Sequence, residues 1–194
     1  TQCDRYATHL RASKRVVHVT CEPSEGPVGG LLRLGLAGRL RLGASNQAQT
    51  MALLFAADRL DHIAHEIEPH LRDGAVVVSD RYDMSSIAYQ TATARVSDPA
   101  AFEDWVRTLN RYALRPDATV VIEVSPGEAE RRRQERSGAL ELYEEAQLQQ
   151  RLAELYGNAE RLTPGDCILH IDGNRDPDAV ASAIREALRP IVGS

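Results

Sequence analysis

Four short apolar runs, separated by helix-length segments, constrain this chain more than any other feature. Val16-Val17-His18-Val19-Thr20, the stretch from Ala75 to Ser79, that from Ala118 to Val124, and Cys167 to Ile171 each read as a strand. Their β-branched and nearly continuous apolar character suits strands buried on both faces of a parallel sheet. Helical patterns lie around them, at about 1–12, 28–40, 47–71, 101–114, 127–137, 140–162 and 177–191. This alternation predicts an α/β fold, a doubly wound parallel sheet with flanking helices. No linker or internal repeat interrupts the 194 residues, so they are expected to form a single domain.

Composition removes several classes. A formal net charge of −5 disfavours a general nucleic-acid binder. The apolar runs are far shorter than the ~20 residues of a membrane helix, and no signal-peptide pattern is present. Cys3, Cys21 and Cys167 are scattered, without metal spacing or a disulfide framework, which favours a reducing, cytoplasmic setting. Of the 23 basic residues only Lys14 is a lysine, and no glycine loop precedes it. No Gly-x-x-x-x-Gly-Lys-[Ser/Thr] motif occurs. The chain opens on Thr1-Gln2, and is expected to continue a longer protein.

Ligands of parallel sheets bind beyond the carboxyl ends of the strands. Three groups of residues there or nearby carry candidate chemistry. On the helix from 47 to 71, Leu53, Ala56, Ala57, Leu60, Ala64 and Ile67 form a stripe expected to face the core. Phe55 falls roughly opposite, with Arg59 one turn along, so an aromatic face and a guanidinium could address a planar heterocycle. Packing of Phe55 and pairing of Arg59 with an acid is the equally weighted alternative. The second group is Asp80-Arg81-Tyr82, followed by Ser85-Ser86-Ile87-Ala88-Tyr89-Gln90. In a helix Ser86, Tyr89 and Gln90 share a face, and Arg81 could hold a phosphate bidentately. The third is Arg131 to Arg136, where Arg132 and Arg136 are four apart and could neutralise charge in phosphoryl transfer. Solvated arginines paired with Glu128, Glu130 and Glu135 are the commoner reading. His62 and His65 have no metal-ligand companions, and a structural role is expected for both.

Together these segments resemble the thymidylate kinase family, in its bacterial form. Phe55-Ala56-Ala57-Asp58-Arg59 matches its Phe-Ala-Ala-x-Arg helix, and the Asp80–Gln90 block matches its Asp-Arg-Tyr…Ser-Ser-x-Ala-Tyr-Gln block. Glu22-Pro23, Gly29, Arg33, the Arg132-x-x-x-Arg136 spacing, Tyr156 and Ile171-Asp172-Gly173 extend the resemblance over essentially the whole chain. It implies a P-loop nucleoside monophosphate kinase fold, with residues 127–140 as a LID, and transfer of phosphate from ATP to dTMP for dTTP synthesis. Phe55 would stack on thymine, Arg59 would address O4, Ser86 and Gln90 would read the pyrimidine edge, and Tyr89 would crowd the 2′ position. Arg81 would hold the dTMP phosphate, and Asp80 would act near Mg²⁺ through water. Arg132 and Arg136 would close over ATP, with Asn174 and Arg175 near adenine. A homodimer is implied, with no nucleic-acid or membrane partner.

The resemblance also places the first strand and Gly-Lys-[Ser/Thr] directly before Thr1, so residues 1–194 by themselves are expected to be inactive. Cys21 stands where the family's Thr-Arg-Glu-Pro has arginine, and Leu140-Glu141 where an Asp-Arg pair is common. The alternatives are a catalytically silent nucleotide-binding or scaffold protein of the same fold, or a related nucleoside or deoxynucleoside monophosphate kinase.

Overall fold

The computed structural model describes residues 1–40, 43, 46–134 and 142–193. Two compact units make up the chain, one from Cys3 to Arg115 and one from Pro116 onward.

The first unit runs α1 (Gln2–Ala12), β1 (Val17–Cys21), α2 (Pro27–Leu36), α3 (Gln47–His62), a π-helical turn (Ile63–Ile67), α4 (Glu68–Arg72), β2 (Val76–Asp80), α5 (Asp83–Thr93) and α6 (Pro99–Leu109). Local chemistry sets many of these boundaries. Thr1 and Asp4 form a reciprocal capping box that starts α1. Asp98 caps α6 by accepting from the Ala101 amide, with Pro99 in the first turn. The helix expected over 47–71 is instead three pieces. Pro69 has no amide hydrogen to close the regular bond to the His65 carbonyl, and the turn before it widens.

β1 and β2 pair in parallel, Val17 opposite Val76 and Cys21 opposite Asp80. The π turn packs below them, where Ile63, Ile67 and Ala113 form a small core with Val77 and Tyr82.

The second unit contains β3 (Thr119–Glu123), α7 (Pro126–Gln134), α8 (Leu142–Tyr156), α9 (Ala159–Leu162), β4 (Ile168–Asp172) and α10 (Pro177–Val192). β3 and β4 are parallel, with Glu123 opposite Asp172. Asp176 caps α10, and Gly193 ends it at φ 80°.

The α/β class and the parallel pairing match the sequence pattern. Among the described residues the strands pair as β1-β2 and β3-β4. Most of their residues are half-buried rather than covered on both faces. Among the described residues no helix is long and apolar enough to cross a membrane.

Candidate functional site

Of the apolar stripe expected to face the core, only Ala56 and Ile67 are buried. Leu53 and Leu60 are 50% and 44% exposed, and Ala57 and Ala64 face solvent as well. The buried face instead carries Ala52, Ala56, Asp58, Arg59 and His62. Polar side chains turn inward here because each finds a partner there, which offsets the cost of removing it from water.

Two of those partners, Glu22 and Ser24, lie in the turn after β1, where the Glu22–Pro23 peptide is cis. Asp58 accepts from the Ser24 amide at 2.9 Å and from the Ser24 hydroxyl at 2.6 Å. Arg33 of α2 donates to the Ser24 carbonyl at 2.5 Å and the Pro23 carbonyl at 3.2 Å. Gly29 packs directly on this turn: a Cβ there would lie 2.0 Å from the Ser24 carbonyl oxygen. Arg59 Nη2 donates to Glu22 Oε2 at 2.5 Å and to Ser86 Oγ at 2.8 Å. Its Nη1 donates to Asn110 Oδ1, and Asn110 is oriented by its own amide, which donates to the Val106 carbonyl at 2.8 Å. The guanidinium also lies 5.3 Å from the centroid of the Tyr82 ring. Burial pushes the Tyr82 phenol well above its ordinary pKa, and its hydroxyl donates to the Leu114 carbonyl.

Above this network opens a cavity of ≈ 430 Å³, within the about 300–1,000 Å³ of small-molecule sites. Phe55, Arg81, Ser86, Tyr89 and Gln90 all line it. Five of the residues singled out in the sequence therefore meet around one space. α5 brings Ser86, Tyr89 and Gln90 to one face, as their offsets require. Arg81 stands at φ 75°, a left-handed conformation disfavoured for a residue with a Cβ, with its guanidinium 5.1 Å from the Tyr89 centroid.

Arg59 is only 1% exposed and is not among the lining residues; it lies behind Glu22 and Ser86, which are. Asp80 is exposed at the end of β2, next in the chain to Arg81. Cys21 is exposed, and its thiol is raised by desolvation and by the Glu25 and Asp80 carboxylates, so it remains protonated.

Sequence reasoning passed over the inner partners, Glu22, Asn110, Asp58 and His62, as site components. Glu22 carried a usable signal, an acid at a strand's carboxyl end. Asn110 carried none, because only the packing of α6 against α3 brings it to Arg59.

The second unit holds the other candidates. Arg132 donates to Glu128 at 2.7 Å and to the Gly173 carbonyl at 2.8 Å. Arg131 also grips Glu128, and hydrogen bonds from Arg131 and Arg132 hold that carboxyl down at about 2. Asn174 Oδ1 accepts from the Ser125 amide and its Nδ2 donates to Asp172, tying the ends of β3 and β4 together. Arg175 is exposed in the same turn. Arg136, the 135–140 part of the expected LID and Glu141 lie outside the described residues.

A cavity of this size beside the carboxyl ends of parallel strands is the usual place for a small-molecule site in an α/β protein. Comparison with known proteins narrows the class. The family model for thymidylate kinase matches residues 1–184. A probable thymidylate kinase of Pyrobaculum aerophilum is 39% identical over 176 residues, covering 91% of this chain and 84% of the relative. A thymidylate kinase of Bradyrhizobium diazoefficiens is 36% identical over 199 residues, covering 97% and 82%. One from Thermococcus gammatolerans, also termed probable, is 38% identical over 168 residues, covering 84% and 78%. The chain belongs to the thymidylate kinase family.

Proposed function

We propose that the protein transfers a phosphoryl group from ATP to dTMP, giving dTDP and ADP, and that the cavity is its dTMP site. The observation that carries this reading is the convergence of Phe55, Arg81, Ser86, Tyr89 and Gln90 on one space. Phe55 offers a ring to thymine, Gln90 and Ser86 its polar edge, and Arg81 a cation for the monophosphate. Ser86 accepts from Arg59, so its own hydrogen remains to donate. A donor at that point suits the O4 carbonyl of thymine and disfavours the 4-amino group of cytosine. Arg59 thus serves O4 through Ser86, and Tyr89 stands against the 2′ position of the sugar.

Asp80 is a single exposed carboxylate, which fits Mg²⁺ held mainly by phosphates and water. Among the described residues there is no group of three or more metal-ligating side chains. Bound there, the ion would neutralise charge on the transferring phosphate. Arg132, with Arg136, is assigned to ATP, and Asn174 and Arg175 to the surroundings of adenine. Residues 1–194 contain no P-loop motif, and by themselves are proposed to bind dTMP without transferring phosphate.

The finer fold reading, one doubly wound sheet in a single kinase domain with a LID at 127–140, rests on the parallel pairing of all four strands. A cytoplasmic homodimer is proposed as well; the exposed Leu53, Ala57, Leu60 and Ala64 stripe offers an apolar face for a second copy.

The test is phosphate transfer by the full-length protein with MgATP, comparing dTMP with dUMP, dCMP and dGMP. Transfer to dTMP should exceed the others; equal rates would refute the specificity, and tight dTMP binding without transfer would mark a silent nucleotide binder. Arg81→Ala should cripple use of dTMP, whereas alanine at the exposed Arg189 should be tolerated.

A further inference from the structure

His62 is a buried titratable group that none of these roles uses. Its side chain is fully buried on the inner face of α3, and both ring nitrogens are engaged. Nδ1 lies 3.3 Å from Glu22 Oε1, and Nε2 lies 2.7 Å from the Thr20 hydroxyl of β1. Arg59 occupies the other oxygen of the same carboxylate, Oε2. Glu22 lines the cavity, so its two oxygens are gripped from behind by a histidine and an arginine one helical turn apart.

Resting on the assignment of this cavity to dTMP, we propose that His62 is a positioning residue for the nucleotide site. It holds Oε1 of Glu22 while Arg59 holds Oε2, so the carboxylate keeps one orientation and Arg59 keeps its bond to Ser86. Without the histidine, Glu22 is free to turn about its bond to Arg59, and the donor that Ser86 presents is no longer set.

The surroundings favour the doubly protonated ring. Glu22 faces Nδ1 from the turn after β1, Glu66 of the π turn lies 3.5 Å from Nε2, and Asp58 and Arg59 flank His62 on α3. The Thr20 hydroxyl also serves Glu66, which leaves its oxygen to accept from Nε2–H. Glu66 in turn meets His18 of β1 at 2.7 Å. Burial works against the charge on His62, but the bond to Glu22 and the fields of Glu22, Glu66 and Asp58 prevail and raise its pKa above 6.5. The clamp is therefore strongest at low pH and weakens as the ring deprotonates.

Three variants of the full-length protein test this: His62→Leu removes the donor, His62→Gln keeps a neutral donor without titration, and Phe55→Ala marks the base site. The probe is thymidine, whose lack of a phosphate keeps the ligand's charge constant between about pH 6 and 8. His62→Leu should raise the thymidine Kd and the dTMP KM about tenfold, leaving kcat and the ATP KM within about twofold. His62→Gln should recover most of that loss. Wild-type affinity for thymidine should fall as pH rises, and His62→Gln should be flat. A His62→Gln variant that keeps the wild-type pH slope would overturn the proposal, as would a His62→Leu variant whose kcat and ATP KM shift as far as its dTMP KM. Where His62→Leu does not fold, the slope of His62→Gln decides. An unchanged Phe55→Ala refutes the site assignment and the proposal with it; a weakened Phe55→Ala beside unaltered His62 variants refutes the positioning role alone.

Discussion

Arg59 and Glu22 form a buried ion pair at 2.5 Å, their side chains only 1% and 2% exposed. Removing Glu22 strands the Arg59 charge away from water, and removing Arg59 leaves the buried Glu22 with His62 alone. Arg59→Met should therefore destabilise the protein by about 3–5 kcal/mol, and Glu22→Leu comparably. The double variant should lose much less than the sum of the two. A double-mutant cycle from urea unfolding reads this directly; additive losses would mean that the charges are individually solvated.

Arg81 separates strain from chemistry. Its φ of 75° penalises any side chain with a Cβ. Arg81→Gly should be about 1 kcal/mol more stable than Arg81→Ala, since glycine alone adopts this conformation without cost. Both should lose dTMP binding alike. Thermal unfolding beside dTMP titration checks the pair, and equal stabilities would remove the strain argument.

Two adjacent glycines of α2 should respond in opposite ways. Gly29→Ala drives a Cβ into the Ser24 backbone, which must shift and disturb its bonds to Asp58, at a cost of about 2 kcal/mol or more. Gly30 has open space around it, so Gly30→Ala should stabilise the helix by about 0.5–1 kcal/mol. Denaturation midpoints of the two variants decide.

A histidine in each unit should make stability depend on pH. His62 is raised in the first. His170 is raised in the second: burial opposes its charge, but bonds to Glu123 and Glu160 at 2.7 and 3.1 Å outweigh it. A raised folded pKa means the folded state binds more protons, so this stability is complete below about pH 6.5 and is lost as pH rises through the folded values. Stability should decline from about pH 6 to 8, and each of His62→Gln and His170→Gln should flatten part of that decline. Melting curves across this range test the sign; a rise in stability over it would refute the account.

The exposed stripe of α3 makes its own prediction. Leu53→Asp with Leu60→Asp should shift a dimer to monomer in sedimentation, with little loss of monomer stability, because both side chains already face water. A chain that is monomeric before substitution would refute the dimer.

Much of this was legible in residue order. Short β-branched runs mark strands because a pleated, paired backbone favours them, and all four lie within a residue or so of their expected limits. Ser86, Tyr89 and Gln90 share a cavity wall because a helix brings residues three and four apart together. These are local rules, readable without a partner.

What lies inside α3 was not local. Periodicity locates an apolar stripe but is silent on how much of it meets the core, and here Ala56 and Ile67 are buried while Leu53, Ala57, Leu60 and Ala64 face out. Asp58, Arg59 and His62 are buried only because Ser24, Glu22, Asn110 and Thr20 arrive from segments up to 51 residues away. A charge enters a protein interior when its compensation is waiting there, and tertiary packing alone assembles that compensation.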